Sequence, residues 1–332
     1  MQTWQIALTN TAGLSSFISL WAFILAFGIN SLNVWFCKAA KYIMTLGFLA
    51  LTLAIIIRGI EAQRFPLSNL YESIMWFAWA VMGSYLALSR FYNIKLFGSL
   101  ASMLALTMFL YGSWLPASQH EISPLVPALV SYWRQIHIPP LIVSYAMFCI
   151  SGLAALAQLF YSGHIISLVI MTVTLLLAGS AIGLGTYTSI ETYILQSLFV
   201  GSSFIGSYLG LKNLKTSNPK FKDKEKSNLY KEITYRCVTV GFPLLTFGII
   251  TGGLWANHAW GSYWSWDPKE SMALATWLSY AAFIHLKIHR ECKGSTLSVV
   301  ALIGVLITML TYLGFNSLGF SGLHSYGRFK DM

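Results

Sequence analysis

Long apolar runs recur along the whole chain and limit its possible folds more than any other feature. A helix needs about 20 apolar residues to cross the hydrocarbon core of a bilayer. The 332-residue sequence contains ten runs of roughly that length. They are Leu14–Phe36, Tyr42–Ile57, Leu70–Ser89, Leu96–Leu115, Pro139–Tyr161, Ile165–Leu184, Ile190–Leu211, Cys237–Trp255, Glu270–Ile288 and Leu297–Phe315. Only helices satisfy their own backbone groups over such lengths in lipid. The sequence therefore predicts an all-α, polytopic transmembrane helical bundle, which we expect to form a single integral membrane domain over residues 1–332.

The composition supports this class of protein. Hydrophobic residues make up 56% of the chain and charged residues only 10%, whereas a typical soluble domain has about 25% charged residues. This excludes an ordinary soluble enzyme, a disordered chain and a fibrous protein. The first residues lack the basic region and small-residue cleavage site of a signal peptide and the Arg- and Ser-rich composition of a transit peptide, so we expect the first apolar run to be retained and the protein to be encoded in a bacterium or a plastid.

The distribution of positive charge predicts the orientation. Of the 21 Lys and Arg residues, fifteen fall in the connections on one side of the ten spans and six on the other. The positive-inside rule places the first group in the cytoplasm or stroma and both termini outside. Eight of the fifteen lie in the basic linker 212–236, which we interpret as a solvated inner loop rather than a patch for anionic lipid or nucleic acid.

A tryptophan-rich stretch is expected on the outer face. Residues 255–270 read WANHAWGSYWSWDPKE, and five of the twelve tryptophans fall between Trp255 and Trp277. An interfacial aromatic belt is one explanation. However, Trp260, Trp264 and Trp266 share one short connection, and flat apolar rings beside the flexible backbone of Gly261 would equally suit a large planar ligand.

Two further outer stretches contribute histidine. His137 precedes the fifth span and His324 follows the last one, and two neutral imidazoles on opposite faces of a plane are a common way to hold haem iron. Arg134 and Arg328 could then contact the propionates, since guanidinium matches carboxylate geometry, although a solvated interfacial charge would explain each arginine alone.

His285 is the intramembrane candidate. It lies about 15 residues beyond Glu270, so roughly 22 Å deeper along a helix, where ionisable groups are candidates for function. His289 is one turn further on and could form a chelating pair with His285, but we interpret it as a solvated residue at the helix end. His120 and His164 are interpreted as ordinary interface residues.

These motifs together resemble the CcsA family of haem-handling proteins in system II cytochrome c biogenesis. The resemblance depends on WGSYWSWDPKE at Trp260–Glu270, IHIPP at Ile136–Pro140, GLHSYG at Gly322–Gly327 and FPLSNLYES at Phe65–Ser73. It covers about residues 60–160 and 235–328 and is greatest to plastid and cyanobacterial members. The usual family pattern has eight spans, so Ile165–Leu211 resembles an insertion. Position 258 is histidine where the family usually has glutamate, so His258 is either a neutral substitute near the haem edge or a spare ligand.

The resemblance implies a site and a function. His137 and His324 would be the axial ligands of haem b, and Trp260, Trp264, Trp266 and Asp267 would line the external loop 255–270. His285 would belong to the route of haem across the membrane. The chain would be the haem-delivery subunit of a cytochrome c synthase; whether it catalyses the attachment itself is left open.

The resemblance also implies partners and a location. The partners would be a CcsB-type membrane protein, apocytochrome c with its CxxCH motif, and separate thiol-reducing proteins. None of the four cysteines is expected on the outer side, which agrees with thiol reduction by another protein. The location would be the plastid thylakoid membrane, or a cyanobacterial or bacterial inner membrane, with the tryptophan-rich loop on the lumenal or periplasmic side.

Two other classes remain as alternatives. A b-type electron carrier would pair histidines deep inside the membrane, and His285 has no such partner in this sequence. A small-molecule transporter would need a polar central path, yet Glu72, Glu191 and His285 are almost the only ionisable groups near the spans.

Overall fold

The computed structural model of the chain describes residues 2–28, 33–92, 95–125, 129–164, 166, 222–289, 292 and 294–314. All regular elements within these ranges are helices, which confirms the predicted all-α class. They are α1 (Gln2–Gly28), α2 (Asn33–Ala62), α3 (Leu70–Leu88), α4 (Lys95–Trp114), the single turn α5 (Ala117–His120), α6 (Trp133–Tyr161), α7 (Lys224–Trp260), α8 (Pro268–His289) and α9 (Gly294–Met309), which continues into a π-helical turn at Leu310–Gly314.

The predicted number of spans is supported in part. Six of the described helices, namely α1, α2, α4, α6, α7 and α9, are long and apolar enough to cross a membrane. The helices α3 and α8 coincide with two further predicted spans, and their 19 and 22 residues correspond to roughly 28 and 33 Å of helix. The predicted spans Ile165–Leu184 and Ile190–Leu211 lie outside the described residues, so the total of about ten stays a prediction.

Some predicted boundaries were wrong. The first span was expected over Leu14–Phe36, but α1 ends at Gly28 and Asn33 already begins α2. The eighth was expected to start at Cys237, but α7 begins at Lys224, within the basic linker. There Asp223 accepts a hydrogen bond from the Lys226 backbone N–H at 3.0 Å and so provides an N-cap. An apolar run indicates only the part of a helix that lies in the membrane. The polar turns that extend the same helix beyond the membrane are therefore missed.

The chain divides into two compact units, residues 1–150 and 151–332. In the first unit, α1 packs along α2 and α4, and α3 packs against α2 and α4. Buried serines link these helices: the Ser19 hydroxyl donates to the Ala40 carbonyl oxygen at 3.0 Å and lies 3.1 Å from the Ser102 hydroxyl oxygen. Small polar side chains that pair across helices are typical of membrane bundles.

In the second unit, the end of α6 packs with α7, α8 and α9. Gln158 of α6 is buried and donates to Ser227 of α7 at 3.2 Å, and it accepts a short hydrogen bond of 2.5 Å from Ser298 of α9. On the other side of α9, Gly304 gives room to the ring of Tyr280 of α8. The side-chain amide of Gln158 and the close contact at Gly304 together fix the positions of α6, α7 and α8 along α9.

Close packing at Gly98 of α4 gives a stability prediction. A Cβ atom there would lie 2.7 Å from two ring carbons of Phe23 in α1. Both residues are completely or almost completely buried. We expect Gly98→Ala to lower the free energy of unfolding by about 1–3 kcal/mol, because overpacking moves helices apart. Thermal unfolding of the detergent-purified protein measures this.

Gly112→Ala is the matched control in the same helix. Its Cβ would meet no atom nearer than 3.5 Å, so the gain in helix propensity should leave stability unchanged or slightly higher. Equal unfolding temperatures for the two variants would contradict the packing argument.

Candidate functional site

The tryptophan-rich loop begins where α7 ends. Gly261 takes the left-handed conformation, with φ of 77°, and its N–H donates to the Asn257 carbonyl oxygen at 2.9 Å. Glycine adopts this conformation without the steric cost that other residues have. The helix therefore continues through Trp260, and the non-helical connection begins at Gly261, six residues after the expected start of the loop at Trp255.

The loop ends in a capping box at the start of α8. The Asp267 carboxylate accepts the Lys269 backbone N–H at 2.9 Å, and Pro268 occupies the first helical position, where its missing N–H has no cost. Glu270 reaches back to accept the Asp267 backbone N–H at 3.2 Å. This reciprocal arrangement satisfies exposed helix-end donors. The DPKE segment thus has a structural role that the sequence analysis missed.

Glu270 also holds the middle of the loop. Its Oε2 atom accepts hydrogen bonds from the Ser265 backbone N–H at 2.8 Å and from the Ser265 hydroxyl at 3.2 Å. Between Ser265 and Asp267 lies Trp266 with φ of 58°, one of two non-glycine residues with positive φ within the described ranges. A bulky residue in this region of conformation is strained and persists only where its surroundings fix it.

The aromatic side chains of the loop are partly open to their surroundings. The Trp264 and Trp266 rings meet edge to face with centroids 5.9 Å apart. Trp266 is 71% exposed and Tyr263 60% exposed, whereas Trp260 and Trp264 are half-buried. The Tyr263 carbonyl oxygen lies over Gly253, where a Cβ would be only 3.2 Å away. The loop thus folds back on α7 and presents flat apolar rings.

The side chain of Asp267, at the end of the loop, is buried. Asp267 is 5% exposed, and the half-buried Lys269 follows it just before the predicted span. Burial lowers the pKa of the Lys269 ammonium group, and the Asp267 carboxylate opposes this shift. Asp267 was predicted to line a ligand site. Its described contacts stabilise the loop backbone.

His137 lies in the first turns of α6. It is half-buried, and Arg134 precedes it by one turn on the same helical face. Pro139 and Pro140 follow inside the helix. Since proline has no N–H, the carbonyl groups four residues before each proline lose their usual helical donors. The turn that carries His137 is thereby less firmly joined to the rest of α6 than an ordinary helical turn.

The FPLSNLYES motif surrounds a buried ion pair. Arg58 of α2 donates from Nε to Glu72 of α3 at 2.7 Å, and both side chains are almost completely buried. Glu72 also accepts from the backbone N–H and the hydroxyl of Ser68 at 2.7 Å each. Arg58 donates in addition to the carbonyl oxygens of His120 and Glu121. The pair therefore ties three segments of the first unit together.

The other histidines have varied surroundings. His285 and His289 are both exposed on α8, with ring centroids 4.8 Å apart, and His258 is exposed in the last turn of α7. His120 packs edge-on against Tyr71 at 4.5 Å, and its Nε2 atom lies 3.0 Å from the Gly112 carbonyl oxygen. Packing contacts account for His120 but not for the exposed pair on α8.

The predicted site residues therefore stand as follows. Trp260, Trp264, Trp266 and Asp267 lie together at the junction of α7 and α8 in the second unit. His137 belongs to the first unit and His285 to the far end of α8. His324 and Arg328 lie outside the described residues, so the pairing of His137 with His324 stays a prediction.

Comparisons with known proteins identify the class of this fold and site. The family described as Cytochrome C assembly protein matches residues 67–324. The match covers well over half of the chain and includes Glu72, the His137 turn and the tryptophan-rich loop. The chain belongs to this family.

Individual relatives narrow the assignment to the CcsA proteins. The cytochrome c biogenesis protein CcsA of Pyropia yezoensis is 36% identical over 335 residues, covering 98% of each chain. That of Synechococcus elongatus is 36% identical over 276 residues, covering 82% of each, and that of a Synechocystis species is 34% identical over 336 residues, covering 97% of each. The predicted resemblance to CcsA is thereby confirmed, and with it a role in cytochrome c biogenesis.

A solved structure shares the fold. The cytochrome c haem lyase CcmF superposes with a TM-score of 0.57 over 95% of this chain, at 16% sequence identity. This chain spans 49% of the CcmF chain. At so low an identity the likeness concerns the arrangement of helices alone.

The three hydrogen bonds to Glu270 give a prediction for the loop. We expect Glu270→Ala to weaken the loop by about 1–3 kcal/mol, because Ser265 and Asp267 lose their common acceptor. Hydrogen exchange at these two amides should then be about tenfold or more faster. Glu270→Gln retains an acceptor oxygen at the third helical position and should have a smaller effect. Unchanged exchange in Glu270→Ala would show that the loop is held by other contacts.

Proposed function

We propose that this protein binds haem at the tryptophan-rich loop on the outer side of the membrane and presents it for covalent attachment to apocytochrome c. The observation that carries the proposal is the geometry of the loop in a member of a cytochrome c assembly family. Glu270 and Asp267 fix a strained backbone, and the fixed backbone exposes the Trp266 and Tyr263 rings. Rigid aromatic faces bind a planar macrocycle with little loss of conformational entropy.

Histidine would supply the bonds to iron. Neutral imidazole is a common haem ligand, and we assign His137 and His324 as the two axial ligands, with haem b as the cargo. His137 is half-buried in the first turns of α6, which supports a ligand on a helical element rather than on a loop. Trp260, Trp264 and Trp266 would line the macrocycle.

The chemistry at the outer face would be delivery. The thiols of the CxxCH motif of apocytochrome c add across the haem vinyl groups, so that each S–H becomes a C–S bond and a C–H bond. The four cysteines, all among the described residues, form no disulfide with one another, and three are buried. This supports separate thiol-reducing proteins as partners, because these cysteines offer no accessible dithiol.

His285 would act on the route of haem across the membrane. Its imidazole is exposed on the surface of α8, and an exposed ionisable group at intramembrane depth is costly in lipid unless another protein covers it. This supports a CcsB-type membrane partner on that face. We assign the protein to the plastid thylakoid membrane, or to a cyanobacterial or bacterial inner membrane, with the loop on the lumenal or periplasmic side; the relatives in cyanobacteria and Pyropia support this group of membranes.

Absorption spectra test the ligand assignment. We expect the complex purified with a CcsB-type partner to contain haem with sharp low-spin bands in the reduced form, since two strong-field imidazoles bind the iron. His137→Ala and His324→Ala should each broaden or remove these bands and abolish cytochrome c assembly, while the protein still accumulates. His164→Ala is the control, because His164 lies apart from these motifs. A spectrum indifferent to both substitutions would favour the transporter alternative.

Haem occupancy tests the role of His285. We expect His285→Ala to lower the fraction of purified complex that carries haem at the outer site, because haem made inside the cell must pass this position. His289→Ala is a matched control, since the two rings lie 4.8 Å apart on the same exposed face. Normal occupancy and normal assembly in His285→Ala would argue against a route through this residue.

A further inference from the structure

A cavity lies between three long helices of the first unit. It has a volume of about 550 Å³ and is lined by residues of α1, α3 and α4 together with His120 of the short α5. Protein interiors contain few voids larger than a water molecule, whereas pockets for small organic ligands measure about 300–1,000 Å³. The size of this cavity therefore points to a bound molecule.

The helices around the cavity run in opposite directions. A Cβ atom at Gly98 of α4 would meet the ring of Phe23 in α1, and a Cβ atom at Gly13 of α1 would meet Phe109 further along α4. The two helices are therefore antiparallel. Gly112, near the end of α4, faces Tyr71 at the start of α3. The starts of α1 and α3 and the end of α4 thus lie at the same end of the cavity.

The lining changes from polar to apolar along this direction. At the end where α1 begins, the polar lining residues are Gln5, Thr9, Asn10, Tyr71, Ser113 and His120. Further along α1 and back along α4 the lining is apolar and includes Leu14, Phe17 and Leu106. A molecule with a polar head and an apolar chain would match this gradient.

Two side-chain amides at the polar end have no partner. Gln5 is 2% exposed, and Asn10 is exposed on α1, about 9 Å along the span that begins at Trp4. Neither amide takes part in a hydrogen bond between residues that the structure describes. An amide away from water is costly unless it is hydrogen-bonded, and lipid tails provide neither donors nor acceptors. The two amides therefore require a polar group from another molecule.

The polar end offers hydrogen bonds without a free charge. The hydroxyls of Thr9 and Ser113 donate to the Gln5 and Leu110 carbonyl oxygens at 2.9 and 2.8 Å, and each hydroxyl oxygen can still accept. The described residues that line the cavity include no Asp, Glu, Lys or Arg.

The arginine next to the cavity wall is already paired. The Arg58 guanidinium lies 5.3 Å from the centroid of the Tyr71 ring, and it forms the buried ion pair with Glu72. A charged head group would therefore find no counter-charge in the cavity, and a neutral head with hydroxyl and carbonyl groups is the complementary one.

We propose that this cavity binds one molecule of a neutral lipid. Its hydroxyl- and carbonyl-bearing head contacts the amides of Gln5 and Asn10, and its chain extends between α1 and α4 toward Phe17. The length of α1 from Gln5 to Phe17 is about 18 Å, which a single long chain can follow. The proposal concerns the first unit alone and does not depend on the proposed haem site.

Equilibrium binding of tritiated monoolein tests the site. Monoolein has one long chain and a neutral head with two hydroxyls and an ester carbonyl, and the full-length protein is held in amphipol. We expect one saturable site per chain. Oleate, with a charged head, and octadecene, with no polar head, should each compete at least about tenfold less well, because charge and unpaired amides are costly in the cavity.

Substitution of the two amides removes the proposed contacts. Gln5→Leu with Asn10→Leu should bind monoolein at least about tenfold more weakly than the wild type, and no more tightly than octadecene. Thr11→Val is the matched control. Thr11 is exposed on the same helix, its hydroxyl donates to the Ala7 carbonyl oxygen at 2.8 Å, and it does not line the cavity, so monoolein binding should be unchanged.

Thermal unfolding shows whether each variant has folded. If the double variant does not fold, the single Asn10→Leu variant provides the test, since an exposed position leaves the packing of the bundle intact. Competition with dioleoylglycerol and with phytol identifies the source of the head group, because displacement by the first alone indicates a glycerolipid and displacement by the second alone a prenyl alcohol. Either result supports the site.

The remaining outcomes overturn the proposal. The absence of saturable monoolein binding to the wild type, or its full retention when both amides are replaced, would refute a lipid site at Gln5 and Asn10. Oleate that competes as well as monoolein would refute the selection of a neutral head.

Discussion

Backbone and polar side-chain groups cannot remain unpaired in the hydrocarbon of a membrane, and this constraint determines where the chain can place its chemistry. Within the described ranges, long apolar helices account for the membrane-embedded backbone. The ionised side chains with specific contacts concentrate near helix ends, as in the Arg58–Glu72 pair and in Glu270 beside the start of α8. These polar groups therefore have two roles. Their hydrogen bonds cap the end of a helix, and they also fix the conformation of the adjoining connection.

The tryptophan-rich loop shows this double use most clearly. Its aromatic rings could bind a planar ligand only if the backbone keeps them in place, and the backbone at Trp266 is strained. Glu270 offsets that strain with one oxygen atom that accepts three donors. The acidic residues of the WGSYWSWDPKE motif are thus explained by helix capping, whereas its exposed aromatic residues Tyr263 and Trp266 have no comparable packing role.

The apolar runs were sufficient to predict the helices, because burial in lipid requires about 20 apolar residues whatever the tertiary structure. They were insufficient for the helix ends. The capping signals were present, Asp223 before α7 and the DPKE box before α8, but the polar stretch before Cys237 was interpreted as a linker and the DPKE box was not recognised as a helix start. The Arg58–Glu72 pair joins two helices and depends on how they pack, which one sequence does not give.

The two kinds of recognition in the proposed site differ in what they require of the protein. Aromatic stacking tolerates any planar macrocycle, so Trp264 and Trp266 alone would discriminate poorly among porphyrins. Metal coordination by an imidazole distinguishes haem from its metal-free precursor but does not fix which edge faces outward. Attachment to a CxxCH motif needs the vinyl groups presented in one orientation. That orientation must therefore come from contacts other than stacking and iron coordination.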